Sequence, residues 1–106
     1  MTKEQMKREI REMEKWIYPH RIYFGEHVKR EYAMGYFQDK QDGLWKVYRY
    51  MERGMGGIGY VFPTEEEALQ KLYRLVRGEY KLTKRAEELH RQWEAEDARA
   101  RAEEGR

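Results

Sequence analysis

Met6, Ile10, Met13, Trp16 and Ile17 recur at the three- and four-residue intervals that place apolar side chains on one face of an α-helix. Thr2 stands three residues before Gln5, a capping-box spacing, so the helix is predicted to begin there. It should stop near Ile17, because Pro19 biases Tyr18 away from helical backbone angles. From Tyr18 to Lys29 the aromatics Tyr18, Tyr23 and Phe24 follow no clean period, and the stretch reads as a packed loop or short strand. At Tyr32 the period changes to two, with Tyr32, Met34 and Tyr36 alternating, and the cluster from Asp39 to Gly43 has turn chemistry. Leu44 to Met51 form a second strand, in which Trp45, Val47, Arg49 and Met51 point one way and Leu44, Lys46, Tyr48 and Tyr50 the other. After the glycine-rich Arg53 to Gly57, a third strand runs from Ile58 to Phe62 and is closed by Pro63.

Two more helices follow in the pattern. Thr64 precedes Glu67 by three residues within a run of glutamates, which caps a helix and sets carboxylates at the positive end of its dipole. Ala68, Leu69, Leu72, Tyr73, Leu75 and Val76 give it an apolar face, and Gly78 is expected to end it. Thr83 is then expected to start a last helix carrying Leu82, Ala86, Leu89 and Trp93, with a charged, projecting end from Glu94 to Arg106. The predicted fold is α+β: a helix, a three-stranded antiparallel sheet and two helices, with the helices on one sheet face. Residues 1–93 form the compact domain and 94–106 a charged helical extension.

Composition narrows the chemistry. The chain has 106 residues, 40% hydrophobic and 40% charged, so it holds one core beneath a very polar surface. It has no cysteine, serine or asparagine, and its three threonines all sit at predicted helix starts. Disulfides, thiolate metal sites and hydroxyl or thiol nucleophiles are therefore excluded or nearly so. His20, His27 and His90 lack the spacing of a metal-binding pair, and no metal or cofactor is expected. No apolar run is long enough to span a membrane, and the charged first twenty residues are unlike a secretory signal, so a cytoplasmic protein is expected.

Gly54 to Gly59 satisfies the G-x-G-x-x-G pattern, but a strand and Pro63 follow where a dinucleotide site needs a helix, so hairpin-turn chemistry is the reading. The glutamates at 65–67 and 87–88 read as a helix cap and a solvent face, without a pocket to shift their protonation. Basic and aromatic residues interleave around Arg21 to Tyr23, Lys29 to Tyr32 and Lys46 to Tyr50, which suits single-stranded nucleic acid. The element order of helix, three strands and helix is also that of the double-stranded RNA-binding domain. Yet 22 Lys and Arg against 20 Asp and Glu are dealt evenly along the chain, without a concentrated basic footprint. Nine tyrosines and three tryptophans point instead to protein binding, since rigid aromatics bury area at low entropic cost.

The segments Gly35-Tyr36-Phe37 to Asp39, Leu44-Trp45-Lys46-Val47-Tyr48, Glu52-Arg53-Gly54 and Phe62-Pro63-Thr64 to Leu69 resemble those of small bacterial immunity proteins of toxin systems. The element order is also similar to that of some phage anti-CRISPR inhibitors. These resemblances imply a non-enzymatic inhibitor that occludes a partner protein, such as a toxin or a defence nuclease, by stoichiometric binding. The expected partner-binding residues are Tyr23, Tyr48, Arg49, Tyr50 and Arg53, on an exposed sheet face and its flanking turns. A small nucleic-acid-binding domain using the same face is the alternative, and a homodimer through Leu82, Leu89 and Trp93 is a further expectation.

Overall fold

The computed structural model describes residues 1–104, so Gly105 and Arg106 lie outside the described residues. Its elements are α1 (Lys3–Glu14), β1 (Arg21–Phe24), β2 (Ala33–Gln38), β3 (Trp45–Tyr50), a 3-10 turn (Glu52–Gly54), β4 (Gly56–Phe62) and α2 (Glu65–Glu104). The fold is α+β. At the N-terminus Thr2 and Gln5 exchange the two hydrogen bonds of a capping box, at 3.1 and 2.8 Å. Thr64 accepts from the Glu67 N–H at the start of α2.

The sheet has four strands rather than the expected three, in the order β1-β2-β3-β4. It is mixed: β1 runs parallel to β2, while β2–β3 and β3–β4 are antiparallel. The added strand is β1, which falls in the stretch without a clean period; four residues are too few to show alternation. Its parallel partner is reached by only eight residues, Gly25 to Tyr32, where a parallel connection usually takes a dozen or more. Left-handed backbone at both ends, φ 78° at Gly25 and φ 61° at Tyr32, makes the sharp turns this requires. Tyr32 therefore leaves the strand it was expected to open and sets its ring edge-on to His20, 5.5 Å away.

One helix replaces the two expected after the sheet. α2 runs 40 residues without a break, through Gly78 and Thr83, so Thr83 caps nothing and the boundary at residue 93 falls inside a continuous helix. Glycine in a helix costs about 1 kcal/mol relative to alanine, which tertiary contacts on both sides of Gly78 offset. Leu72 and Val76 are buried before it; Glu79 binds Arg49, and Lys84 lies 3.2 Å from the Trp16 ring centre after it.

The core joins Met6, Ile10 and Ile17 of the N-terminal segment, Ile22, Met34, Tyr36 and Val47 of one sheet face, and Ala68, Leu69, Leu72 and Val76 of α2. No helix among the described residues is long and apolar enough to cross a membrane.

Candidate protein-interaction surfaces

The sheet face turned away from the core is covered at its centre by the connection from Gly25 to Tyr32. Tyr48 is 1% exposed; its hydroxyl donates to the Glu26 carbonyl at 2.7 Å and accepts from the Val28 N–H at 3.2 Å. Burial pushes this phenol up to about 12, so it stays a neutral donor. Opposite it in register is Gly35, where an added Cβ would lie 2.7 Å from the Tyr48 hydroxyl. Glycine there lets the ring lie flat across β2. His27 stacks on Phe37 with centroids 4.4 Å apart, and its Nε2 is 2.8 Å from the Tyr50 hydroxyl. Burial, and then the charge of Lys29, lowers the His27 pKa and favours the neutral ring.

Tyr48 is thus not on an open face, and that expectation is corrected: strand alternation identifies which side a residue takes but not whether a loop returns to cover it. Tyr50 is half-buried and bonded to the same loop. Arg49 points to the other face, where it pairs with Glu79 of α2 beside the buried His20. Burial lowers the His20 pKa, with the Glu79 charge opposing the shift. Arg53 is exposed with φ 60°, and its N–H donates to Glu31 at 3.0 Å, tying the β3–β4 hairpin to the covering loop. Gly54 and Gly56 beside it also take left-handed backbone, as turn chemistry requires. Tyr23 lines a groove of about 530 Å³ with Arg11, Arg21 and Arg30. The five residues therefore do not form one surface.

The two outer strands differ more than the two faces. On β1, the outward N–H of Ile22 donates to Glu14 at 2.6 Å and the outward carbonyl accepts from Arg11 at 2.8 Å. Arg11 and Glu14 are themselves bonded at 3.0 Å, so one ion pair of α1 stands in for a missing strand. Nothing among the described residues pairs with the outer edge of β4. That strand, Gly-Gly-Ile-Gly-Tyr-Val-Phe, contains no charged residue in a chain that is 40% charged, and Ile58, Tyr60 and Val61 are 46%, 40% and 51% exposed. By register, Ile58 and Val61 lie on the side of Tyr48 and Lys46, while Tyr60 lies opposite Val47 on the helix side, under the Lys71 ammonium. A break in register between Val47 and Tyr48 accommodates the odd spacing.

Reading the sequence by single residues missed this edge. Its signal was the uncharged run itself, because exposed edges are ordinarily protected by lysine, proline or a covering segment. Among the described residues no cluster of three His, Asp or Glu side chains is placed to hold a metal ion. Comparison with protein-family models, curated proteins and solved structures finds no match to this chain.

Proposed function

We propose that this chain is a non-enzymatic protein-binding inhibitor, of the immunity or anti-defence type, that occludes a partner protein by one-to-one binding. Its contact surface is centred on β4 rather than on the central aromatic face. The observation that carries the reading is the asymmetry of the edges: β1 is closed by Arg11 and Glu14, whereas β4 is left open, uncharged and apolar. An open edge accepts an extended strand from a partner, with main-chain hydrogen bonds supplying affinity and alternate side chains supplying specificity. Ile58 and Val61 would meet one side of that strand, and Tyr60 with Lys71 the other. Met51 and Met55, 39% and 71% exposed at the adjoining hairpin, extend the apolar contact beside Arg53.

A binding role also suits the side-chain inventory. The chain lacks Ser and Cys, and its most deeply buried tyrosines, Tyr36 and Tyr48, have pKa values pushed up to about 12, far from any neutral-pH proton transfer. Nucleic-acid binding through the basic and aromatic β3 draws less support, because the two cations of that strand already have partners. Lys46 is bound by Asp39 at 2.6 Å and Asp42 at 3.1 Å, and Arg49 by Glu79.

The test uses the full chain as bait in three forms: wild type, the double variant Ile58→Lys with Val61→Lys, and the groove variant Arg21→Ala. A protein held by the wild type and the groove variant, but released by the β4 double variant, is the expected result. Equal recovery on all three baits, or co-purification of nucleic acid alone, would overturn the reading.

A further inference from the structure

Lys71, Arg74, Gly78, Lys81 and Arg85 recur along α2 at intervals of three and four, so they share one face of the helix. Lys71 is half-buried and the others are exposed, and none of the four cations is paired with a carboxylate among the described residues. Across residues 70–85 the only acid is Glu79, which is held by Arg49. A helix break at Gly78 would have divided this basic stripe; the unbroken α2 assembles it. Its place is set by its neighbours. The Lys71 ammonium lies 4.2 Å from the centre of the Tyr60 ring, Leu75 packs in the cleft with Gly57 and Tyr60, and Glu79 reaches Arg49, the register partner of Gly57. α2 therefore runs along β4 from its Phe62 end toward its Gly56 end. Tyr73, bonded to Glu9 of α1, marks the opposite side of the helix, so the stripe overhangs the open edge of β4.

Taking β4 as the contact edge proposed above, we infer that the partner strand it accepts is acidic, with aspartate or glutamate at alternate positions on the helix side and apolar residues on the other. Successive side chains of a strand point to opposite faces, so a strand beside β4 meets two different surfaces. One is apolar, formed by Ile58 and Val61. The other is basic: Lys71 stands over Tyr60, Arg74 follows one turn on, and Lys81 and Arg85 carry the charge past the Gly56 end. Paired strands lie about 4.8 Å apart, so a carboxylate on the partner residue beside Tyr60 comes within reach of the Lys71 ammonium.

Two unmet needs lie side by side here, and an acidic strand answers both. A phosphate backbone would match the cations but leave the outward N–H and carbonyl groups of β4 unpaired. A neutral strand would pair the edge and leave the cations unmatched. The β4 of a second copy contains no carboxylate and does not fit. Gly78 agrees with close approach from outside: nothing from another element comes within 4 Å of where its Cβ would stand, so packing within the chain does not require a residue that weakens a helix. Complementary charge across the edge would also speed encounter and fix the register of the added strand.

Fluorescence anisotropy of the full chain with labelled synthetic peptides of the length of β4 tests the inference. Three peptides alternate valine with glutamate, glutamine or lysine. The glutamate peptide is expected to bind about tenfold more tightly than the glutamine peptide, and the lysine peptide more weakly than either. The double variant Lys71→Glu with Arg74→Glu should reverse that order, while Arg91→Glu, about 30 Å along the same helix, should preserve it. Circular dichroism of the double variant checks that it keeps the fold. Equal binding of the three peptides, or an order unchanged in the double variant, would overturn the acidic partner while leaving β4 as the contact edge. Failure of every peptide to bind, or binding indifferent to N-methylation of alternate peptide amides, would count against the edge itself and so against both readings. A labelled single-stranded RNA held more tightly than the glutamate peptide would overturn the proposal in favour of phosphate.

Discussion

β1 and β4 bound the same sheet and face the same physical problem, a row of backbone groups with no neighbouring strand. On β1 the problem is solved within the chain, by Glu14 and Arg11 binding the outward N–H and carbonyl of Ile22. On β4 it is left unsolved, and the strand also omits the lysines and prolines that elsewhere discourage pairing. A protein that protects one edge with a tailored ion pair and exposes the other with Ile58 and Val61 shows where a partner strand has room to add. The surface that looks richest in the sequence, the tyrosines of β3, is instead used internally to hold a loop.

The closed half should be sensitive and the open edge tolerant. Gly35→Ala is expected to have the largest effect, about 3 kcal/mol of lost stability, because the new methyl would press on the Tyr48 ring and on the Tyr23 carbonyl, backbone that cannot easily yield. Chemical denaturation would measure it, and a near-neutral result would mean that the loop cover is slack. Removing the edge cap comes next. Glu14→Ala should cost about 2 kcal/mol by leaving the Ile22 N–H without an acceptor. Glu14→Gln should cost less than half of that, since an amide oxygen still accepts; equal losses would show that charge rather than edge capping matters.

The imidazoles set a smaller, pH-dependent effect. His20 and His27 both have folded-state pKa values lowered from 6.5 by burial, so the unfolded chain takes up protons first as pH falls. Stability is therefore fully present above about pH 6.5 and declines from there down through the lower folded values. His27→Phe, which keeps the stack on Phe37, should flatten that decline; an unchanged pH profile would assign it to other groups. The smallest effect is expected on β4. Val61→Lys should change stability by no more than about 0.5 kcal/mol, as for an exposed edge position. Hydrogen exchange gives the same contrast directly: the Ile22 amide should be protected and the outward amides of β4 should exchange freely. Comparable protection at both edges would erase the distinction between them.

Much of this was legible along the chain. Both occupied helix caps, the alternation of β3, the hairpin at Gly54 and the apolar face of α2 follow from local rules, because each depends on residues a few positions apart. β1 was not legible, since four residues carry no period and a parallel pairing is decided by partners twelve residues away. Gly78 misled for a related reason: its local preference is to end a helix, but contacts from Arg49 and Trp16 arrive on both sides of Thr83 and carry the helix onward. Of the five residues expected to meet a partner, only Arg53 is exposed. Alternation placed Arg49 and Tyr48 on opposite faces, yet no periodicity reports that Glu26 and Val28 bond the Tyr48 hydroxyl across twenty residues or more.

By itself the sequence determined an α+β chain with a polar exterior, a first helix starting at Thr2, a helix starting after Thr64, and an inventory without thiol or serine nucleophiles. Those properties are local or compositional, and local physics suffices for them. The tertiary structure decided which sheet face is covered, which edge is closed and how far α2 runs. Each of those outcomes depends on residues brought together from distant parts of the chain. Whether a polar group or an apolar side chain stays exposed is settled only when the neighbour that would cover it either arrives or does not.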